Sequence, residues 1–234
     1  MLKNFLQLRI IFIQFIILSI YGFSSAQTWY SVEPRATDKS LKTIYFCDTL
    51  NGWAVGNEGV IIHCSDGGFK WTSQTSGAID TLLDVYFSDA SNGWVVGRNG
   101  CMLHTTNGGT AWTKLLKRTD YDLIKVRSNG DTVIVFSDYY NIYQSFDGGT
   151  VWTGINSGVA SQLYDVKFFS LKNILSCGYN GVYKSTDFMT SWQQITLNSP
   201  YKSTSNWSFC FLNLDTGWVY GYYGLYFTGC IPIL

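Results

Sequence analysis

Several marks by which a sequence announces its chemistry are thin here. Lys+Arg and Asp+Glu are equal at 16 each, for a formal net charge of zero. There is no basic excess to displace counterions from a nucleic acid or to hold an anionic membrane surface, so neither is expected as a partner. Glutamate occurs only at Glu33 and Glu58, and histidine only at His63 and His104. The two histidines occupy the same slot of neighbouring sequence units, and no third ligand lies at a suitable spacing, so no metal and no cofactor are expected. No CxxC pair joins any of Cys47, Cys64, Cys101, Cys177, Cys210 and Cys230. Cys64, Cys101, Cys177 and Cys210 fall inside apparent strands where a small apolar residue serves, so most of the six are expected as buried thiols and at most a pair or two as disulfides. No segment sustains a helical periodicity, which points to an all-β chain.

The one long apolar run lies at the N-terminus. Lys3 and Arg9 give a positive start, Ile10 to Ile20 is apolar except for Gln14 and Ser19, and Ser24 and Ala26 are small residues ahead of Gln27. The run is shorter than the roughly 20 residues a membrane span needs. Residues 1–26 are therefore expected to be a cleaved signal peptide, with 27–234 as the mature protein, secreted or held in the periplasm or cell envelope, without a span after cleavage. Removal takes away two basic residues and leaves the remainder slightly negative.

Self-similarity carries the most information. Trp71, Trp112, Trp152 and Trp192 recur every 40 or 41 residues, each closing a related octapeptide: CSDGGFKW, TTNGGTAW, SFDGGTVW and STDFMTSW. A second register keeps step with it through NGWAVGNEGV (Asn51 to Val60), NGWVVGRNGC (Asn92 to Cys101), a degraded LSCGYNGV (Leu175 to Val182) and TGWVYGYYGL (Thr216 to Leu225). The period is that of a propeller blade, and each unit reads as four short strands separated by turns. Asp66, Asn107, Asp147 and Asp187 are placed to accept hydrogen bonds from the backbone N–H groups that follow them. Gly68, Gly109 and Gly149 can take the positive φ of such a turn, and the four tryptophans can pack on their blades. These positions are expected to be structural rather than catalytic.

Trp29 precedes Trp53 by nearly the interval that separates Trp71 from Trp94. Thr28 to Val32 thus reads as an orphan outer strand that would complete the last unit, where Trp207 to Phe227 supplies three strands, and close a ring of five. The alternative is a truncated member of a larger propeller, to which the final IPIL, arriving where an octapeptide is due, also points.

The octapeptides resemble the Asp-box motif, and the combination of NGW-x-VG-x-x-G with an Asp box resembles the photosystem II assembly/stability factor family over Trp29 to about Thr228. The resemblance implies a β-propeller, commonly seven-bladed, that acts as an assembly chaperone and not as an enzyme. Asp boxes also occur in sialidases, sorting receptors and other glycoside hydrolases. A sialidase needs an arginine cluster and a Glu-activated Tyr, whereas the mature chain has only Arg35, Arg98, Arg118 and Arg127, and no FRIP-like sequence. The expected function is an exported, non-catalytic binding or assembly scaffold with a protein partner. A carbohydrate-active or glycan-binding propeller is the alternative, since two Asp carboxylates can suffice for a glycosidase.

Strand direction divides the surface. In a four-stranded meander the turn between second and third strands shares a face with the links between blades, and the Asp boxes lie on the other. Tyr139, Tyr140, Tyr179, Tyr222 and Tyr223 collect in three of the five tips of the first face. Arg98 joins them at a tip, and Asp84 and Asp165 begin their innermost strands near the channel mouth. These eight residues are the expected partner-binding surface, because tyrosine suits interfaces.

Overall fold

The computed structural model describes residues 35–116, 119–139, 141–156, 163–170, 172–178 and 181–195, with the strands at 206–211, 216–221 and 229–230. The signal peptide, the orphan strand at Thr28 to Val32 and its pairing region Leu225 to Thr228 lie outside them. All described residues belong to one unit, Pro34–Leu234.

Five antiparallel sheets follow one another along the chain. Blade 1 holds β1 (Leu41–Phe46), β2 (Gly52–Gly56), β3 (Ile61–Cys64) and β4 (Thr72–Gln74), and blade 2 holds β5 (Leu82–Phe87), β6 (Gly93–Gly97), β7 (Met102–Thr105) and β8 (Thr113–Lys114). Blade 3 holds β9 (Leu123–Asn129), β10 (Thr132–Ser137), β11 (Asn141–Ser145) and β12 (Thr153–Asn156). Blade 4 holds β13 (Leu163–Phe168), β14 (Ile174–Gly178), β15 (Gly181–Ser185) and β16 (Gln193–Ile195). Blade 5 pairs β17 (Asn206–Phe211), β18 (Thr216–Gly221) and β19 (Gly229–Cys230). Its Gly217↔Gly229 pair keeps the offset of Gly93↔Thr105 in blade 2, so the third strand is in the repeat's register. The only helical segments among the described residues are the three-residue 3-10 turns Asn57–Gly59 and Arg98–Gly100, and no helix there is long and apolar enough to cross a membrane.

The first strands of successive blades, β1, β5, β9, β13 and β17, lie side by side and line the axis around which the blades fan. Each is interrupted near its start by one unpaired residue, with register shifts at Leu41/Thr43, Leu82/Asp84, Phe136/Ser137 on the partner of β9, Leu163/Asp165 and Asn206/Ser208. Such bulges add twist and bend, which a strand packed against an axis requires. They also fix one register position per blade, occupied by Thr43, Asp84, Lys125, Asp165 and Ser208.

The second strands β2, β6, β10 and β14 are buried almost throughout, and blade 2 shows how, sandwiched between blades 1 and 3. In blade 2, Val95 and Leu103 pack with Trp53, Val55 and Ile61 of blade 1, while Trp94, Val96 and Met102 pack with Leu123, Val126 and Val135 of blade 3. This period-two division explains why GWVVG is wholly apolar. Gly93 is required here by a close approach, since a Cβ would stand 2.3 Å from the Phe87 ring. Cys64, Cys101 and Cys177 are buried free thiols in these layers, and burial pushes their pKa values up.

Candidate functional site

Backbone hydrogen bonds sort the loops onto two ends of the blades. At one end the Asp box meets the turn between first and second strands, with Gly67, Gly108 and Gly148 N–H donating to the carbonyls of Leu50, Ser91 and Asp131. At the other, the tips meet the inter-blade links: Arg98 N–H donates to the Thr81 carbonyl at 2.9 Å, and the Ser76 hydroxyl donates to the Gly59 carbonyl at 2.6 Å. Glu58 and Asn99 turn the first two tips with φ of 56° and 53°. Asparagine tolerates that left-handed region better than most residues.

The Asp-box end is consumed by its own backbone. Asp147 accepts from Thr150 N–H at 3.0 Å, Val151 N–H at 2.9 Å and the Ser145 hydroxyl at 2.7 Å. Asn107 accepts from Ala111 N–H at 2.9 Å, Asp187 from Ser191 N–H at 3.0 Å, and Asp66 from Lys70 N–H at 3.0 Å. These bonds hold the Asp147 and Asp187 carboxyls below the usual range, through Val151 N–H for the first and the Ser191 hydroxyl for the second. Gly68, Gly109 and Gly149 turn with φ of 99°, 84° and 88°. Trp71 and Trp152 donate to the carbonyls of Gly68 and Gly149, and Trp112 donates instead to the Gln74 amide oxygen of blade 1. Trp192 follows a box in which Met189 replaces glycine, and its indole nitrogen is buried without a partner.

The opposite end carries the open chemistry. Asp84 is buried on β5 and accepts from Val126 N–H at 3.0 Å and Arg127 Nη1 at 2.7 Å, both on β9 of the next blade. Lys125 Nζ stands 3.8 Å from Asp84 Oδ1 and 3.5 Å from Asp165 Oδ1, so one cation bridges blades 2, 3 and 4. The Arg127 guanidinium lies 5.3 Å over the Tyr86 ring, which in turn packs on Tyr45 at 4.9 Å. Burial, then the Tyr86 hydroxyl, pushes the Tyr45 phenol up to about 12. The axis wall is thus aromatic on blades 1 and 2 and cationic on blade 3.

Outside this wall, Asp122 gathers two tips. Its carboxylate accepts from Asn99 N–H at 3.0 Å and lies 3.6 Å from Arg98 Nε, while its carbonyl accepts from Asp138 N–H at 2.9 Å. Burial, then the Asp122 charge, raises the Asp138 carboxyl. Tyr139, next in the chain, stacks on Tyr121 with centroids 4.7 Å apart and planes 17° from parallel. Ile79 and Leu116, on the links into blades 2 and 3, are 86 % and 81 % exposed.

Of the eight residues expected to bind a partner, Arg98 and Tyr139 are brought to one tip cluster through Asp122, and Asp84 and Asp165 are joined through Lys125. Tyr140, Tyr179, Tyr222 and Tyr223 lie outside the described residues. Sequence reasoning missed Ile79, Leu116, Tyr121, Lys125 and Arg127. The first three sit in links with no repeat motif, and the last two lie on β9, a first strand in a blade whose second strand, β10, has lost the Gly-Trp signature. His63 and His104 stack on Trp53 and Trp94 at 4.6 Å and 4.0 Å. Among the described residues no three His, Cys, Asp or Glu side chains gather as a metal site would require.

Stacked four-stranded blades with Asp-box turns, carrying an exposed apolar and charged surface at one end, define an Asp-box β-propeller. The family model described as photosynthesis system II assembly factor YCF48 matches residues 23–155. The chain belongs to that family. No curated protein sequence matches it. Among solved structures it is similar to YCF48 bound to D1 peptide, with 15 % identity, 87 % of this chain and 98 % of that chain covered, and a TM-score of 0.47. It is also similar to an ancestral GH74 enzyme, with 16 % identity over 88 % of this chain and 30 % of that one at a TM-score of 0.64. The GH74 xyloglucanase from Xanthomonas campestris gives 12 % identity over 86 % of this chain and 37 % of that one at 0.63. At such identities the likeness to these enzymes is one of fold.

Proposed function

We propose that this protein is an exported, non-catalytic scaffold that binds a protein partner on the end of the propeller formed by the tips and inter-blade links. The observation that carries the reading is the exposed Ile79, Leu116 and stacked Tyr121–Tyr139 grouped on one face with Arg98. Large apolar side chains left in water on loops held by a rigid sheet are the composition of an interface core, and the charges around them form its polar rim. Membership in an assembly-factor family supports the same reading. The non-catalytic part rests on Asp84, whose two carboxylate oxygens are engaged by Arg127 and Lys125, and on the Asp boxes, whose acceptors are spent on their own turns. Export rests on the N-terminal run of residues 1–26.

The test is site-specific photocrosslinking in the host. A photoreactive residue at Leu116 or Tyr139 should yield the same discrete protein adduct, and one at Phe69, on the Asp-box end, should not. Adducts equal at both ends would overturn the placement of the surface. Recovery of the mature protein with Gln27 at its N-terminus checks export, and turnover of a β-glucan by the purified chain would overturn the non-catalytic reading.

A further inference from the structure

The chain carries six Asn-Gly pairs, at Asn51, Asn92, Asn99, Asn107, Asn129 and Asn180, the last outside the described residues. In such a pair the side-chain amide is open to attack by the next backbone nitrogen, because glycine has no Cβ to crowd the approach. In a folded chain the outcome turns on whether the carboxamide and the glycine are held.

Four of the five described pairs are held. The Asn51 and Asn92 carboxamides donate to Asp48 and Asp89 at 2.8 Å each, and Gly52 and Gly93 are buried in their strands. Asn99 donates to Asp80 at 2.8 Å and is followed by the buried Gly100. Asn107 Oδ1 accepts from Ala111 N–H and the Thr105 hydroxyl at 2.9 Å each, while Gly108 N–H donates to the Ser91 carbonyl at 2.8 Å.

Asn129 differs on each count. Its pairing with Thr132 closes a two-residue hairpin of Gly130 and Asp131 between β9 and β10, with Gly130 at the positive φ, 58°, that such a turn favours. Asn129, Gly130 and Asp131 are all exposed. Among the described residues the Asn129 carboxamide has no hydrogen-bond partner and Gly130 N–H has no backbone acceptor. A Cβ built on Gly130 would meet nothing within 4 Å, so water reaches the turn freely. The turn also carries a structural bond. The Asp131 carbonyl accepts Gly148 N–H at 2.9 Å, which fastens the third Asp box to its blade.

We propose that Asn129 is a deamidation site whose reaction unfastens that Asp box. The Gly130 nitrogen, its proton taken by hydroxide, forms a bond to Asn129 Cγ. The bond from Cγ to the side-chain nitrogen breaks, and that nitrogen leaves as ammonia with a proton from water, which regenerates hydroxide. Water then opens the cyclic imide. Cleavage at Cγ leaves aspartate, and cleavage at the main-chain carbonyl leaves isoaspartate, in which the chain runs through Cγ. Water is consumed and ammonia released in equal amount, with no change of oxidation state. Isoaspartate lengthens the backbone of a two-residue turn and carries the Asp131 carbonyl away from Gly148. No enzyme is needed, so the altered fraction grows with the age of the protein.

Peptide mass mapping of the purified full chain, held folded in mildly alkaline buffer, tests this. Asn129 should convert roughly tenfold faster than Asn51, Asn92, Asn99 or Asn107, each of which must first give up a hydrogen bond. In denaturant that advantage should vanish. Asn129→Gln, which would have to close a larger ring, should remove the fast phase of ammonia release while melting as wild type does. Comparable rates at all five sites in the folded chain, or an intact Asn129 in a chain whose other sites react, would overturn the site. Isoaspartyl molecules, separated by chromatography, should lose hydrogen-exchange protection at Gly148 N–H, and Asn129→Asp, which adds the charge without the extra backbone atom, should keep it. Equal protection in the two would overturn the coupling to the box.

Discussion

Ser145 is buried, and its hydroxyl serves three partners in one turn. It donates to Asp147 Oδ1 at 2.7 Å and accepts from the N–H groups of Gly149 at 2.9 Å and Asp147 at 3.4 Å. Ser145→Ala should therefore cost about 1–2 kcal/mol by leaving turn donors unpaired. Denaturant unfolding measures it, and partner capture at the opposite end should be unchanged. Ser185 makes the same bonds to Asp187 and to Met189 N–H, so the fourth box keeps its shape although Phe188 and Met189, not glycines, hold positive φ of 57° and 66°. Burial lowers the pKa values of His63 and His104 from 6.5, so the folded protein binds fewer protons there than the unfolded chain. Stability from this source is complete above about pH 6.5 and is lost as pH falls through the lowered folded values. Replacing both by Phe, which keeps the stacks on Trp53 and Trp94, should flatten the decline in Tm between about pH 7 and pH 5, where unperturbed histidine titrates. An unaltered decline would assign that sensitivity to other groups.

At the scale of the strand, the bulged start of each inner strand matters most for the site. The Asp84–Lys125–Asp165 row ties β5, β9 and β13 at one level, and Arg127 adds a second bond to Asp84. Asp84→Ala would strand Arg127 near the axis without its carboxylate and leave Lys125 with Asp165 as its one acidic partner, at a cost of roughly 3–5 kcal/mol. A double cycle with Arg127→Ala should recover part of that loss, and strict additivity would show that the pair does not couple. The strands themselves were legible in the sequence, because GWAVG and GWVVG alternate sides, and because Asp and Gly at fixed offsets require a turn. Asp84 could be placed at a strand start from the repeat alone. Its partners could not, since contact between blades is set by the angle between sheets rather than by any spacing along the chain. The same holds for Tyr121 against Tyr139, where one ring comes from a link and the other from a tip.

For the whole molecule, the repeat spacing foretold five sheets in sequence, and it left the links blank. Those links carry Ile79 and Leu116, so the part of the surface that gives the binding reading was the part least visible beforehand. The repeat also dictates how the molecule comes apart. Among the described strands the main packing runs between successive blades, so stability is approximately a sum of blade terms and interface terms. Blade 1 is held to blade 2 by Trp53 on Phe87, by the Trp53 N–H on Gly108, and by the Gln74 amide donating to the same carbonyl at 2.8 Å. Trp53→Ala removes the first two and opens a cavity, for a loss of about 3–5 kcal/mol, as for other fully buried aromatics. That loss falls on the interface and hardly on blades 3 and 4, whose contact runs through Ile134, Phe136 and Val166. Hydrogen exchange should then show β1 to β3 losing protection together while β10 and β14 keep theirs, with unfolding followed at the two ends no longer coincident. Equal loss of protection in all blades would instead mean that the fan unfolds as a single unit.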